Sequence, residues 1–366
     1  MEPVKRQIIA LDVMGSDQGV AEIIDGGLAA AREWGDRLQV LLVGRQDAIE
    51  AVLAERSDCP DNVAVQHAPN EVPMGMSASE AVRLRDSSVR VGLRLVRQRE
   101  AHAFVSPGNT GAVMGTSLLR LGRIEGVARP AIATLFPTST GKHTLVLDAG
   151  ANADCKPIHL SQFAIMGSTY YEVKFREEAP RVGLLSIGEE RSKGNELIFN
   201  ARRLLQKSKI NFVGNIEGRD ILSGTIDVAV TDGFTGNILL KLAESIQPML
   251  VKTIQRQIQT NLFSRVGAML LLPFLRRVRD RFDYAESGGA PLLGVNGVVI
   301  ICHGSSNARA IYNGVGVARE MVSRGLLDRL RHELVTNHFG NSNGSGSKSQ
   351  DSGNGVFPAA SADDQH

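Results

Sequence analysis

Residues 106–111, Ser-Pro-Gly-Asn-Thr-Gly, join an apolar run ending Phe104-Val105 to a segment with helical spacing. Such a junction carries little side chain and many backbone donors. Glycine permits close backbone approach and positive φ, and successive amides at a helix N-terminus attract anions. Gly108, Asn109, Thr110 and Gly111 therefore fit an oxyanion or phosphate cradle, with Asn109 and Thr110 adding side-chain donors. Asn-Gly turns and Thr caps also serve as plain structure, so the reading depends on what stands beside it.

Six other apolar runs end in the same manner. They lead into Met14-Gly15-Ser16-Asp17-Gln18-Gly19, Ala149-Gly150-Ala151-Asn152, GEERSKGN (188–195), EGRD (217–220), Asp232-Gly233-Phe234-Thr235-Gly236-Asn237 and His303-Gly304-Ser305-Ser306-Asn307-Ala308-Arg309. Open α/β sheets bind ligands at the carboxyl ends of their strands. The expectation is a polar, glycine-rich rim that receives an anion. Within it, Lys193 is either a charge clamp for phosphate or a solvated surface lysine. His303 either protonates a leaving group or packs against backbone. Arg309 reaches an anion or pairs with a carboxylate. Asp12, Asp17, Asp148 and Asp232 are suited to hold loops by accepting amide hydrogens, and for Asp12 and Asp148 that structural role is preferred to catalysis.

The elements that must position these residues are legible as short Val/Ile/Leu-rich runs. They are QIIALDV (7–13), LQVLLVG (38–44), AHAFVS (101–106), AIATLF (131–136), HTLVLDAG (143–150), RVGLLSIG (181–188), INFVGNI (210–216), DVAVTDG (227–233) and GVVIICHG (297–304). Continuous apolar runs suit strands buried on both faces. Their alternation with segments of helical length implies an α/β fold around a largely parallel sheet. The catalytic unit is read as 1–336, with a helical projection at about 242–285. From 337 the chain turns polar and aperiodic, which predicts a disordered tail.

Bulk properties narrow the class. A chain of 366 residues makes one or two closely joined domains. With 43% hydrophobic and 22% charged residues it has a soluble protein's balance, and its net charge of +2 does not argue for nucleic acid. Cys59, Cys155 and Cys302 form no framework and read as reduced thiols of a cytoplasmic protein; no Cys/His cluster suggests a metal. There is no GxSxG elbow, no GxxxxGK[ST] and no GxGxxG after the first strand. A standard serine hydrolase, a P-loop nucleotidase and a common dinucleotide dehydrogenase are thus unsupported.

Taken in order, IALDVMGSDQG (9–19), VSPGNTGAVM (105–114), LDAGAN (147–152), GLLSIGEERSKGN (183–195), GNIEGRDI (214–221), DVAVTDGFTGNILLK (227–241) and GGAPLLGVNGVVIICHGSSNARAI (288–311) resemble the PlsX family. These are phosphate acyltransferases, which make acyl phosphate from acyl-acyl carrier protein and inorganic phosphate. Ser16 stands where the family usually has Gly, and Pro107 where it has Ala or a similar small residue. The resemblance implies a three-layer α/β/α fold of phosphotransacetylase and isocitrate dehydrogenase type and a homodimer. It also implies no metal, no organic cofactor, and a place in phospholipid synthesis. The product would pass to a membrane glycerol-phosphate acyltransferase.

On that chemistry phosphate is assigned to Gly108–Gly111, with Asn152 and Lys193 near it, and Asn109 and Lys193 counted as catalytic. His303 and Ser305 or Ser306 are assigned to the carbonyl or the leaving sulfur. Asp17, Asp232, Asn237, Ser306, Asn307 and Arg309 are assigned to the substrate loops. Two rival readings stay open: a phosphotransacetylase acting on short acyl-CoA, and a non-catalytic membrane-associated scaffold.

Two regions read as partner surfaces. Arg83, Arg90, Arg94 and Arg97 fall in a stripe roughly 60° wide at 100° per helical residue, which suits an acidic carrier protein or a solvated face. In NLFSRVGAMLLLPFLRRVRDRF (261–282) an apolar centre precedes Arg276, Arg277, Arg279 and Arg281, with Pro273 as a break. That pattern fits peripheral contact with a membrane interface or a dimer-contact helix pair.

Overall fold

The computed structural model describes residues 6–258, 268 and 288–337. The segment 261–282 (Ala268 apart), the far part of the expected helical projection and the tail from 338 lie outside the described residues. All nine apolar runs contain strands. They are β1 (Gln7–Asp12), β2 (Leu38–Gly44), β4 (Ala103–Ser106), β5 (Ala131–Pro137), β6 (His143–Leu147), β7 (Val182–Leu185), β8 (Phe212–Ile216), β9 (Val228–Val230) and β11 (Val298–Ile301). Two more, β3 (Val63–His67) and β10 (Ala290–Leu293), complete an eleven-stranded sheet of order β3-β2-β1-β4-β11-β10-β5-β6-β9-β7-β8.

The sheet consists of two parallel blocks. From β3 to β11 every neighbour is parallel. From β6 to β8 the same holds. Between the blocks, the pairs β11–β10, β10–β5 and β5–β6 are all antiparallel. Three reversals leave the second block running opposite to the first. The seven polar turns therefore do not share one rim. Those after β1, β4 and β11 leave one edge, and those after β6, β7, β8 and β9 leave the other. Alternation of apolar runs cannot reveal this, because a strand reads the same in either direction.

Strand pleating divides the core. Ile9, Leu11, Ala103, Val105, Val298 and Ile300 face a layer built by α1 (Val20–Trp34), α6 (Pro157–Phe175), α7 (Glu196–Leu205), α10 (Ala308–Ser323) and α11 (Leu326–Thr336). Ala10, Phe104, Val299 and Ile301 face the opposite layer, built by α3 (Ala78–Arg83), α4 (Ser88–Gln98) and α5 (Thr110–Arg120). In the second block Val146 and Ala229 pack with α8 (Asp220–Ser223) and the first turns of α9 (Gly233–Ile258). A short α2 (Gln46–Ala54) completes the first block. The result is three layers, α/β/α.

Helix crossings set the turns. A Cβ on Gly26 of α1 would lie 2.6 Å from the Ala308 carbonyl and 2.7 Å from Ile311 Cβ, so α1 and α10 touch backbone to backbone. α10 follows the polar turn after β11, and this contact fixes where that turn ends. Among the described residues no helix is long and apolar enough to cross a membrane.

Candidate active site

β4 lies between β1 and β11, so their carboxyl ends deliver three turns side by side. Backbone and side chain lock them together. Asp17 donates its amide to the Gly304 carbonyl at 2.9 Å, and the Ser16 hydroxyl donates to the same oxygen at 3.0 Å. Ser16, the departure from the family's Gly, thus gains a bond. The Cys302 amide donates to the Ser106 carbonyl at 2.8 Å. Asn109 Nδ2 donates to the carbonyls of Met74 (2.8 Å) and Met76 (2.9 Å), drawing in the connection between β3 and α3.

Asn109 is the cap of α5: its Oδ1 accepts the Ala112 amide at 3.0 Å and its carbonyl accepts Val113. Both ends of its side chain are engaged, which corrects the assignment of Asn109 as a side-chain phosphate donor. What remains at the turn is the backbone and the exposed Thr110 hydroxyl. Among the described residues no hydrogen bond engages the amides of Asn109, Thr110 or Gly111. Open donors at a helix start attract an anion.

The start of α10 is different. Its first amide, Ala308, donates to Glu22 Oε1 at 2.7 Å, and Asn307 Oδ1 caps Ala310. A carboxylate already occupies that end, so Asn307 is structural. The Arg309 guanidinium stacks over the Tyr312 ring, 5.3 Å from its centre. His303 Nδ1 accepts the Ser305 amide at 3.2 Å and lies 2.7 Å from Ser305 Oγ. An acceptor Nδ1 places the proton of the neutral ring on Nε2 and makes the Ser305 hydroxyl a donor to the ring. Ser306 is buried, with its Oγ unpaired, and so does not line an open substrate loop.

The turns of the second block form their own constellations. Asp148 Oδ1 accepts the amides of Ile132, Gly150 and Ala151, and Oδ2 accepts Asn152 through both its amide and its Nδ2. Asn152 Nδ2 also donates to the Pro130 carbonyl at 2.8 Å, so Asn152 is a turn lock rather than an open phosphate donor. Burial raises the Asp148 carboxyl despite these donors. Asp232 caps α9 by accepting the amide and hydroxyl of Thr235. The exposed Asn237 lies against Gly150, 3.3 Å from where its Cβ would stand.

Lys193 is exposed in a loop pinned by Asn215 Nδ2, which donates to the carbonyls of Glu190 and Lys193. No hydrogen bond among the described residues joins this loop, or Asn152, to the 108–111 turn; the expected single cluster is three. Met114 of α5, Ala149, Ala151 and Leu240 of α9 belong to the same apolar core cluster on one side of the sheet.

The arginine stripe is also redrawn. Ser77 and Glu80 box the start of α3, which ends at Arg83; Ser87 then caps α4, accepting from Arg90. Arg83 therefore sits on another helix. Arg90, Arg94 and Arg97 remain on α4, and Arg120 of α5 joins them, its acidity raised by burial and by Arg90 and Arg97. No hydrogen bond or salt bridge among the described residues engages these four guanidinium groups. Residue spacing had no means of finding Arg120, because only the α4–α5 packing brings it there.

The model of the family described as fatty acid synthesis protein matches residues 7–329. The chain belongs to this family. It is 46% identical over 331 residues to the phosphate acyltransferase of Syntrophotalea carbinolica, covering 90% of this chain and 94% of that one. It is 48% identical over 327 residues to the phosphate acyltransferase of Pelotomaculum thermopropionicum, covering 89% and 94%. A phosphotransacetylase from Streptococcus pyogenes superposes with a TM-score of 0.59 at 16% identity, over 87% of this chain and 94% of that one. That likeness shows the fold.

Proposed function

We infer that this member of the family transfers an acyl group from a thioester to inorganic phosphate, yielding an acyl phosphate for phospholipid synthesis. The observation that carries the site assignment is the open run of amides at Asn109, Thr110 and Gly111. Phosphate at neutral pH is already an anion and needs no strong base. One of its oxygens forms a C–O bond to the thioester carbon, and the carbonyl becomes an oxyanion. Collapse of that intermediate breaks the C–S bond and releases the thiol's sulfur with its electron pair. The work of the protein is to hold phosphate near the carbonyl and to stabilise the oxyanion. The α5 amides and the Thr110 hydroxyl hold the phosphate. Lys193, whose turn leaves the other edge of the sheet, is not counted in this cradle. His303, through its Nε2–H, is the proposed donor to the departing sulfur, with Ser305 holding Nδ1.

Acyl carrier protein is the proposed acyl donor, and Arg90, Arg94, Arg97 and Arg120 its proposed docking surface, by charge complementarity. A homodimer and peripheral contact with a membrane, where a glycerol-phosphate acyltransferase takes the product, complete the proposal. The test mixes protein, palmitoyl-acyl carrier protein and phosphate, then traps the product with hydroxylamine. Phosphate-dependent hydroxamate with stoichiometric carrier thiol is the expected result. Product from acetyl-CoA alone overturns the donor and leaves a phosphotransacetylase. A Lys193→Ala protein should keep full phosphate affinity, and a loss of that affinity would return Lys193 to the scheme.

A further inference from the structure

The carboxyl of Asp12 takes no part in that scheme, yet it lies directly beneath the phosphate turn. It closes β1 and is 1% exposed. Its Oδ1 accepts the Met14 amide at 3.0 Å. Its Oδ2 accepts the hydroxyl of Ser106, a fully buried residue at the end of β4, at 2.7 Å. Ser106 Oγ in turn accepts the Gly108 amide at 3.1 Å. A hydroxyl has one hydrogen. Because that hydrogen is directed at the carboxylate, the oxygen's lone pairs are left for Gly108. The chain Gly108 N–H to Ser106 Oγ–H to Asp12 Oδ2 thus has a fixed polarity, set by the charge on Asp12.

Gly108 is the residue before the open amides. A Cβ there would stand 3.1 Å from Ser106 Oγ and 3.4 Å from Asp12 Oδ2, so the turn rests on this pair with no atom between. Rotation of the Ser106 side chain reorients the Gly108 peptide and, with it, the amides that follow. We propose that Asp12, acting through Ser106, is a positioning residue that aims the amides of Asn109, Thr110 and Gly111 at phosphate. The inference rests on the reading of that turn as the phosphate site.

Burial pushes the Asp12 carboxyl up to about 6, opposed by the bonds from Ser106 and Met14 and reinforced by Glu71 from the β3–α3 connection. Ser88 of α4 faces the same carboxyl, but its Oγ is left buried and unpaired. A protonated Asp12 becomes a donor toward Ser106 and reverses the chain. Phosphate binding should therefore weaken as pH falls through this range.

Asp12→Asn keeps the shape. Its oxygen must face the Met14 amide, so its NH2 faces Ser106, and the polarity is lost at every pH. The expected result is a KM for phosphate raised about tenfold, a KM for the acyl thioester within about twofold, and loss of the part of the acid limb that the wild type shows in kcat/KM for phosphate. Ser106→Ala should shift the phosphate KM the same way and carries the test if Asp12→Asn fails to fold. The phosphate-induced rise in Tm is measured on the same proteins, independently of turnover. A wild type stabilised by phosphate but inactive on every thioester overturns the proposed reaction alone; the variants' loss of that stabilisation still supports the positioning role. Folded variants with the wild-type phosphate KM, Tm rise and pH profile overturn the positioning role.

Discussion

Asp12 at the end of β1 and Asp148 just after β6, in opposite blocks, hold the turns that follow, yet they should answer substitution differently. Every oxygen site of Asp148 faces a donor: three amides on Oδ1, and the amide and Nδ2 of Asn152 on Oδ2. An Asn there must point its NH2 at donors whichever way it turns. Asp148→Asn should cost about 3 kcal/mol, read as a fall in Tm and in the denaturant midpoint. Asp12 faces one amide, Met14, which an Asn oxygen still accepts, and one hydroxyl, Ser106, which can accept as readily as donate, so Asp12→Asn should fold. The pH response follows from the raised carboxyl of Asp12, about 6 against the usual 3.8. Between those values the folded chain holds a proton that the unfolded chain has released, so stability falls as pH rises across the window and is level above it. Roughly 2–3 kcal/mol is at stake as an upper figure. Denaturation across pH 4–7 should show a flatter curve for Asp12→Asn than for the wild type.

At the scale of elements, the start of each helix decides which turn is free to act. α10 begins against Glu22, whereas α5 begins with open amides. The close crossing of α1 and α10 keeps Glu22 in place. Gly26→Ala should force the two helices apart, costing about 1–3 kcal/mol, visible as a lower Tm. Shifting α10 also shifts His303, so kcat should fall in the same variant. The α4–α5 pair makes a different prediction. Arg90 and Arg97 repel Arg120, and none of them has an ion-pair partner among the described residues, so replacing them should not harm folding. Glu at Arg90, Arg97 and Arg120 should raise the KM for acyl carrier protein at least about tenfold while sparing acyl-CoA. Equal effects on both donors would end the docking proposal.

For the whole molecule, the unfinished surface is α9. Phe234, Ile238, Leu242, Ile246, Met249, Leu250 and Ile254 are exposed at helical spacing on this helix. A stripe of that extent calls for a covering surface, which supports the homodimer proposal. Sedimentation should give twice the mass of 39.4 kDa. Glu at Leu242 and Ile246 should shift the protein to monomers, and a monomeric wild type would remove the proposal.

Local chemistry was legible in the residues alone. Nine apolar runs are strands because full burial on two faces demands continuous apolar sequence. β3 escaped because it is a half-buried edge strand, and β10 because it is a four-residue piece with Pro291 inside it. The amide-rich turn at 108–111 was equally legible, since Gly, Asn and Thr at a strand-to-helix junction leave few other outcomes. Direction and company were not. Three antiparallel pairings around β10 and β5 turn the second block over, and nothing in a short strand encodes which way it runs. That reversal puts the turns of Asn152 and Lys193 at the other edge of the sheet from 108–111. Within the first block, packing between elements distant in sequence closes α10 with Glu22, sets Arg120 beside Arg90 and Arg97, and puts Asp12 beneath Gly108. The sequence determined which groups the protein has to work with, because backbone propensity and side-chain chemistry are local. The tertiary structure decided which of them meet, because hydrogen-bond partners and burial depend on residues far apart in the chain.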